Sequence, residues 1–194
     1  MIRRCSLPPT GAAATAATLH RASVPMLETV RLRLRAPNLQ DLPQWTEIFT
    51  GPASHGFGGP FTPEDAWAGF SSYTACWMLH GHGLWTVERR EDGEGLGFVH
   101  LGLEWCDDEP ELGWLFLPRH QGQGYAAEAA AAARAWGLEL LPGFVSYVEP
   151  GNAPSNRLAR RLGATRDAAA EAAILASEGG RAHVWRHTRN KGAA

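Results

Sequence analysis

The chain is poor in cysteine. Its three thiols, Cys5, Cys76 and Cys106, stand far apart, are odd in number and form no CxxC pair. Neither a disulfide framework nor a zinc site is signalled, no metal is expected, and a reducing cytoplasm is the simple reading. No apolar run approaches the ~18 residues that span a bilayer. An excess of one charge is missing too: 18 basic and 20 acidic residues leave a net charge of −2, with a pI near 6.4. That balance leaves no footprint for nucleic acid or an anionic membrane. Acids are absent from the first 25 residues, "MIRRCSLPPTGAAATAATLHRASVP", where three arginines sit among Ala, Ser, Thr and Pro. This stretch lacks the apolar run of a secretory signal. It reads as a transit-like segment or as a flexible extension that buries nothing. Met26, just before the first regular pattern, offers a mis-assigned start as a third reading.

What is present is ordinary for a folded protein. The 194 residues, 44% apolar and 20% charged, suffice for one domain with a real core. The expected organisation is a flexible N-terminal extension over 1–25, a single domain over 26–188 and a C-terminal tail over 189–194. "VRLRLRAP" (30–37) alternates as a half-buried strand does. "NLQDLPQWTEIF" (38–49) predicts a helix capped by Asn38. "GPASHGFGGP" (51–60) is a loop, and "TPEDAWAGFSSYTACWML" (62–79) opens with a capping pattern at Thr62 and Asp65. Strands follow within 80–92, at 96–105 and at 111–118. The strongest helix propensity lies at 125–140. A strand at 143–150, a short helix at 155–163 capped by Ser155, and a strand at 181–187 complete the pattern. Residues 167–180 fit a helix or a hairpin. Consecutive strands imply antiparallel pairing, and one strand–helix–strand unit implies a right-handed parallel crossover. The sum is one α+β domain around a mixed sheet.

The stretch "RHQGQGYAAEA" (119–129) falls between a strand and the first turn of a helix. Free amides and the helix dipole attract anions there, and Gly122 and Gly124 let the backbone approach a phosphate closely. No Lys followed by Ser or Thr is present, which excludes a Walker loop. Gly122, Gly124 and Ala127 do match a dinucleotide fingerprint, with Glu149 ending the next strand. Only one crossover unit remains after the motif, too few parallel strands for that site.

The surroundings of the loop are more specific. "ELGWLFLPRHQGQGYAAEA" (111–129) resembles the acetyl-CoA-binding motif of the GNAT superfamily of N-acetyltransferases, Q/R-x-x-G-x-G/A, with Gln121, Gly124 and Ala126 at its key positions. "VEPGNAPSNRLARRLGA" (148–164) resembles the second signature, and "GLWTVERREDGEGLGFVHL" (83–101) the preceding hairpin. The resemblance runs from about Leu27 to His187 and is nearest to the branch of ribosomal-protein N-terminal acetyltransferases. It implies the acyl-CoA N-acyltransferase fold: a central, mostly antiparallel twisted sheet flanked by helices, with two strands splayed at the CoA site. It implies acetyl-CoA as cosubstrate and a small-molecule or peptide amine as acceptor. Family members are often dimers, so a homodimer is in keeping with it.

By the same resemblance, the splayed strands are 111–118 and 143–150, and Trp114, Leu115, Phe116 and Leu117 run along the pantetheine. The pyrophosphate sits on the loop of Arg119, Gln121, Gly122, Gln123, Gly124, Tyr125 and Ala126, and Asn152 holds the pantetheine. A backbone N–H of Trp114 or Leu115 faces the thioester carbonyl. An ammonium titrating near ~10.4, or ~8 for an α-amine, profits from a proton acceptor. Glu111 is the first candidate, His100 the second, with Glu104 and His55 behind. Many relatives carry a tyrosine acid where Ala159 stands, so Ser155 is the candidate donor to the sulfur. Arg157, Arg160 and Arg161 stand either near the CoA phosphates or, as arginines on an exposed helix usually do, in solvent. The loop 54–61, with Trp85, Trp105 and Trp114, is expected to wall the acceptor pocket, and no acidic cluster points to a polyamine or aminoglycoside. An N-acetyltransferase, a CoA-binding domain without turnover and a nucleotide-binding module are the three readings left open.

Overall fold

The computed structural model describes residues 3–105, 107–178 and 181–189. Cys106 and residues 190–194 of the expected tail lie outside the described residues. Among the described residues eight strands form one sheet: β1 (Leu27–Glu28), β2 (Leu32–Arg35), β3 (Leu84–Arg89), β4 (Gly95–Gly102), β5 (Glu111–Phe116), β6 (Gly143–Val148), β7 (Thr165–Arg166) and β8 (His183–Thr188). Their order is β1-β2-β3-β4-β5-β6-β8-β7. Only β5 and β6 run parallel; the remaining neighbours are antiparallel. The expected mixed, mostly antiparallel α+β sheet is what the chain builds. A single parallel pair does not make the row of parallel strands on which a dinucleotide site rests.

Alternation assigns the two faces of the sheet. Leu32 and Leu34 are fully buried and pack with Trp85, Val99 and Leu112. Leu84 and Phe98, one residue out of step with Trp85 and Val99, enter a second cluster on the other face. The helices are α1 (Gly11–Arg21), α2 (Leu42–Thr50), α3 (Pro63–His80), α4 (Tyr125–Leu140), α5 (Ala153–Arg161) and α6 (Ala168–Glu178). Helices α2 and α3 bring Trp45, Phe49, Phe70 and Tyr73 onto the second cluster. The opposite face takes α4, whose buried stripe is Ala129, Ala130, Ala133 and Gly137. Such small residues let the helix lie close: a Cβ on Gly137 would stand 2.8 Å from Leu101 Cδ2.

Local chemistry explains where the elements start. Thr62 and Asp65 form the expected capping box with Pro63 in the first turn of α3. Helix α2, by contrast, is not capped by Asn38. Asn38 Oδ1 accepts from Gln40 N at 2.8 Å and closes a local turn instead, so the helix starts three residues late, after Asp41. Stretch 168–178 is helical, which resolves the ambiguity there in favour of helix. Alanine propensity also draws α1 out of the N-terminal segment, and none of its residues is buried. Among the described residues no helix is long and apolar enough to cross a membrane.

Asp41 ties the first layers together. Its carboxylate accepts from Arg35 Nη1 and Nη2, Thr86 Oγ1 and Asn38 N, each at 2.8 Å. It is 5% exposed. Removing one member of a buried ion pair leaves the other charge uncompensated. Asp41→Ala is therefore expected to cost about 3 kcal/mol, read as a lower urea midpoint with an unchanged slope.

Candidate active site

Strands β5 and β6 share one bridging pair, Glu111 with Val145. Val145 N donates to Pro110 O at 3.0 Å. Beyond that point side chains serve the groups that a ladder would have paired. Ser146 Oγ donates to Leu112 O at 2.5 Å. Tyr147 N donates to the Glu111 carboxylate at 3.3 Å. Further along, Gln121 Nε2 donates to Phe116 O at 2.9 Å. Strand alternation turns the main-chain groups of Leu112, Trp114 and Phe116 towards β6 and those of Gly113 and Leu115 towards β4. Of the two amides expected to face a thioester, only that of Trp114 points into the gap. The Leu115 amide belongs to the β4 ladder.

A buried relay fixes this gap. The Ser146 hydroxyl proton is engaged with Leu112, so its oxygen accepts from His187 Nε2 at 3.0 Å. His187 Nδ1 then accepts from Arg134 Nε at 3.3 Å, which makes the imidazole neutral. Burial first, and the Arg134 charge second, push its pKa down to about 4.

The loop after β5 passes through a 3-10 turn, Pro118–His120, and two left-handed glycines, Gly122 at φ 75° and Gly124 at φ 82°. Gly124 is the N-cap of α4 and no side chain caps the helix. The N–H groups of Gly122, Gln123, Gly124, Tyr125 and Ala126 find no acceptor among the described residues. Five donors thus open onto one turn at the positive end of a 16-residue helix. The donor set fits a diphosphate. Arg119 is held by Glu47 at 2.7 Å on the surface. Phe116 and Leu117 are buried and Leu115 packs against the α2–α3 cluster, so their side chains belong to the core.

The other lip of the gap is α5, and here one expectation is corrected. Asn152, not Ser155, is the cap: Asn152 Oδ1 accepts from Ser155 N at 3.1 Å. The helix starts earlier because Asn152 leads Ala153–Pro154, and proline suits a first turn. Ser155 Oγ accepts from Trp114 Nε1 at 3.3 Å, which leaves its own proton to donate. Ala159 is fully buried beside Val148, Ala164 and Trp185.

Between these lips and the 3-10 turn Pro52–Phe57 lies a cavity of about 580 Å³. Glu111, His100 and Ser155, the three predicted catalytic side chains, all line it, as do Trp114, Asn152, Glu104 and His55. His100 Nε2 lies 3.7 Å from Glu111 Oε2, too far for a hydrogen bond. Among the described residues both ring nitrogens of His100 lack a hydrogen-bond partner, although the residue is only 5% exposed. The ring stacks on Tyr73 at 4.3 Å. It fits because Gly113 has no side chain: a Cβ there would stand 2.2 Å from His100 Cε1. The expected wall 54–61 is present through His55, Gly56, Phe57, Gly58 and Phe61. Two tryptophans were misplaced: Trp85 is core, and Trp105 is wholly exposed away from the cavity.

Tyr73, Asp107 and Tyr147 are among the lining residues that no sequence motif marks. The Tyr73 phenol donates to Glu104. Burial, then the charges of Glu111 and Glu104, holds it far above its ordinary range. Tyr147 is pushed up to about 12 by burial and the carboxylates around it. The acidic run "DDEPE" (107–111) was a usable signal for a charged wall.

Because His187 is neutral when folded, its contribution to stability is complete above the ordinary histidine value near ~6.5 and is lost as pH falls towards about 4. Wild type is expected to lose up to about 3 kcal/mol more than His187→Gln between those pH values, measured by urea denaturation at each pH.

An acetyltransferase (GNAT) domain model matches residues 31–165. The crystal structure of an acetyltransferase from Agrobacterium tumefaciens str. C58 superposes with a TM-score of 0.78 at 37% identity, covering 86% of this chain and 95% of that chain. RimL, a ribosomal L7/L12 alpha-N-protein acetyltransferase solved with coenzyme A, shares the fold with a TM-score of 0.65 at 17% identity, over 85% of this chain and 97% of that one. YkkB of Bacillus subtilis (strain 168) is 33% identical over 88 residues, 43% of this chain and 51% of that protein, so the chain spans about half the length of this curated relative.

Proposed function

This chain belongs to the GNAT acetyltransferase family, and we propose that it moves the acetyl group of acetyl-CoA directly to a primary amine within a ternary complex. The observation that carries this reading is the row of unserved amides from Gly122 to Ala126, set where β5 leaves β6. Those amides hold the diphosphate; Gln121 braces the loop through Phe116 O, and Arg119 reaches the ligand only by leaving its surface pair with Glu47. The gap along Trp114 to Leu117 takes the pantetheine, and the Asn152 side-chain amide holds it from the other lip. The domain spans 26–188, with 1–25 as an extension. Cys5 and Cys76 are free thiols, in keeping with a cytoplasmic setting.

The cosubstrate supplies an activated acyl group. The amine nitrogen forms the new C–N bond as the C–S bond breaks, and the electron pair leaves on sulfur. Glu111, with His100 at its side, takes one proton from the attacking amine. The Trp114 N–H stabilises the oxyanion that develops on the acyl oxygen. Ser155 donates its free proton towards the thiolate, whose thiol titrates near ~8.5 and needs little help. The products are an N-acetyl amide and free CoA. A domain that binds CoA without turnover is the second reading, favoured by Ala159 standing where relatives carry tyrosine. The Ser155 hydroxyl in the cleft argues against it.

Gly124→Val places a β-branched side chain at φ 82°, with its Cβ 3.4 Å from Arg31 Nη2. CoA affinity is expected to fall at least about tenfold, read as a smaller thermal shift with CoA, while NAD shifts neither protein. Unchanged affinity would sink the loop assignment. Glu111→Gln is expected to lower kcat about 100-fold in a thiol-release assay while CoA still binds. If no amine or peptide in a broad panel speeds CoA release by the wild type, the enzyme reading falls.

A further inference from the structure

Resting on the acetyltransferase reading above, the acceptor wall of the cavity says more about the amine. Three carboxylates meet there from the two ends of the β4–β5 connection. Glu111 opens β5 and pairs in register with Gly102 at the end of β4. Glu104 and Asp107 follow two and five residues after Gly102, and Glu104 N donates to Asp107 Oδ2 at 2.6 Å. All three line the cavity, and Glu149 joins them from the β6 side. No Arg or Lys among the described residues forms an ion pair with Glu104, Asp107 or Glu111. Glu109 in the same connection shows the contrast, bound to Arg186 at 2.6 and 2.8 Å outside the cavity. Arg181 is the cationic side chain among the cavity's described lining residues, and it is exposed at the rim. His55 lies on the opposite wall and is engaged with Pro52 O at 2.7 Å.

The second observation is His100. It is nine-tenths buried, it lines this cavity, and neither ring nitrogen has a hydrogen-bond partner among the described residues. A buried imidazole with two idle nitrogens leaves polar capacity unused, and a ligand donor is what would use it. One side of the cavity is thus anionic and polar. The other is a cluster of aromatic rings, Phe49, Phe57 and Phe61, with centroids 5.3 to 5.8 Å apart. Among the described residues these side chains do not form a group that could hold a metal ion. The complement is an organic cation with an apolar stem.

We propose that the acceptor is a small dicationic amine: an aliphatic chain that presents one amino group to Glu111 and His100 for acetylation and a second cationic group to Glu104 and Asp107. The methylene stem lies against the Phe57 and Phe61 side. The attraction of the second charge adds to binding in a partly enclosed site, where Coulomb terms exceed those at an open surface. Glu104 and Asp107 are thereby specificity residues, and Glu111 and His100 remain the pair at the reacting nitrogen.

The test uses the full chain with acetyl-CoA and reads thiol release against butylamine, diaminobutane, and a short peptide with a free N-terminus and uncharged side chains. The expected result is a kcat/KM for diaminobutane at least about tenfold above that for butylamine, carried mainly by KM and shrinking with added salt. Asp107→Asn and Glu104→Gln, each checked for an unchanged melting temperature with CoA bound, are expected to draw the diamine-to-monoamine ratio towards one. Equal turnover of butylamine and diaminobutane by the wild type overturns the proposal, as does a peptide preferred over both. In either case the acetyltransferase reading stands. Failure of every acceptor while CoA still binds overturns both.

Discussion

One parallel contact governs this molecule. Where β5 and β6 touch, at Glu111 and Val145, they are a sheet; two residues later they are two walls. A tear in a ladder exposes main-chain donors and acceptors, and buried ones cannot be left unserved without cost. The chain answers with side chains chosen for reach. Ser146 serves the Leu112 carbonyl, Glu111 serves the Tyr147 amide, and Gln121 serves the Phe116 carbonyl. What stays open between them is the main chain around Trp114. The gap exists because its two ends are satisfied and its middle is not.

The position of one proton matters to that arrangement as much as shape. Ser146 can hold Leu112 only while His187 donates to it, and His187 donates from Nε2 because Arg134 occupies Nδ1. Arg134 belongs to α4, the helix whose first turn presents the free amides. The same helix therefore anchors the tear at one end and offers the anion site at the other. A 16-residue helix packed on alanines against the sheet is stiff enough to keep the two in register.

The sequence told most where the local code and the fold agree. Alternating "RLRLR", the capping box at Thr62 and Asp65, and the glycine turn before an alanine-rich run each became the expected element. Asn38 and Ser155 misled for one reason: each is a good cap by type, but a neighbour took the position. Asp41 is drawn to Arg35 and Thr86 at the start of α2, and Asn152 precedes a proline at the start of α5. The acidic wall was hidden by arithmetic. A net charge near zero averages over the chain, whereas Glu104, Asp107 and Glu111 converge because a hairpin sets Gly102 opposite Glu111. Tyr73 was out of reach altogether, since it comes from α3 and meets His100 only through tertiary packing.

The division of labour along β5 follows from its pleat. Side chains of Glu111 and Leu115 lie on the α2–α3 face, where Leu115 joins the second cluster and Gly113, having none, makes room for His100. Main-chain groups of Leu112 and Trp114 point sideways, in the plane of the sheet, into the tear. One strand can thus present acid–base side chains to an acceptor above the sheet and an N–H to an acyl group lying within it, a few ångströms apart and without competition for the same atoms. Glycine at 113 is required by this geometry, because any side chain there would occupy the imidazole's place. An apolar strand reads as a plain core element for the same reason it can be catalytic: its chemistry is carried by backbone direction, by one terminal carboxylate, and by the absence of a methyl group.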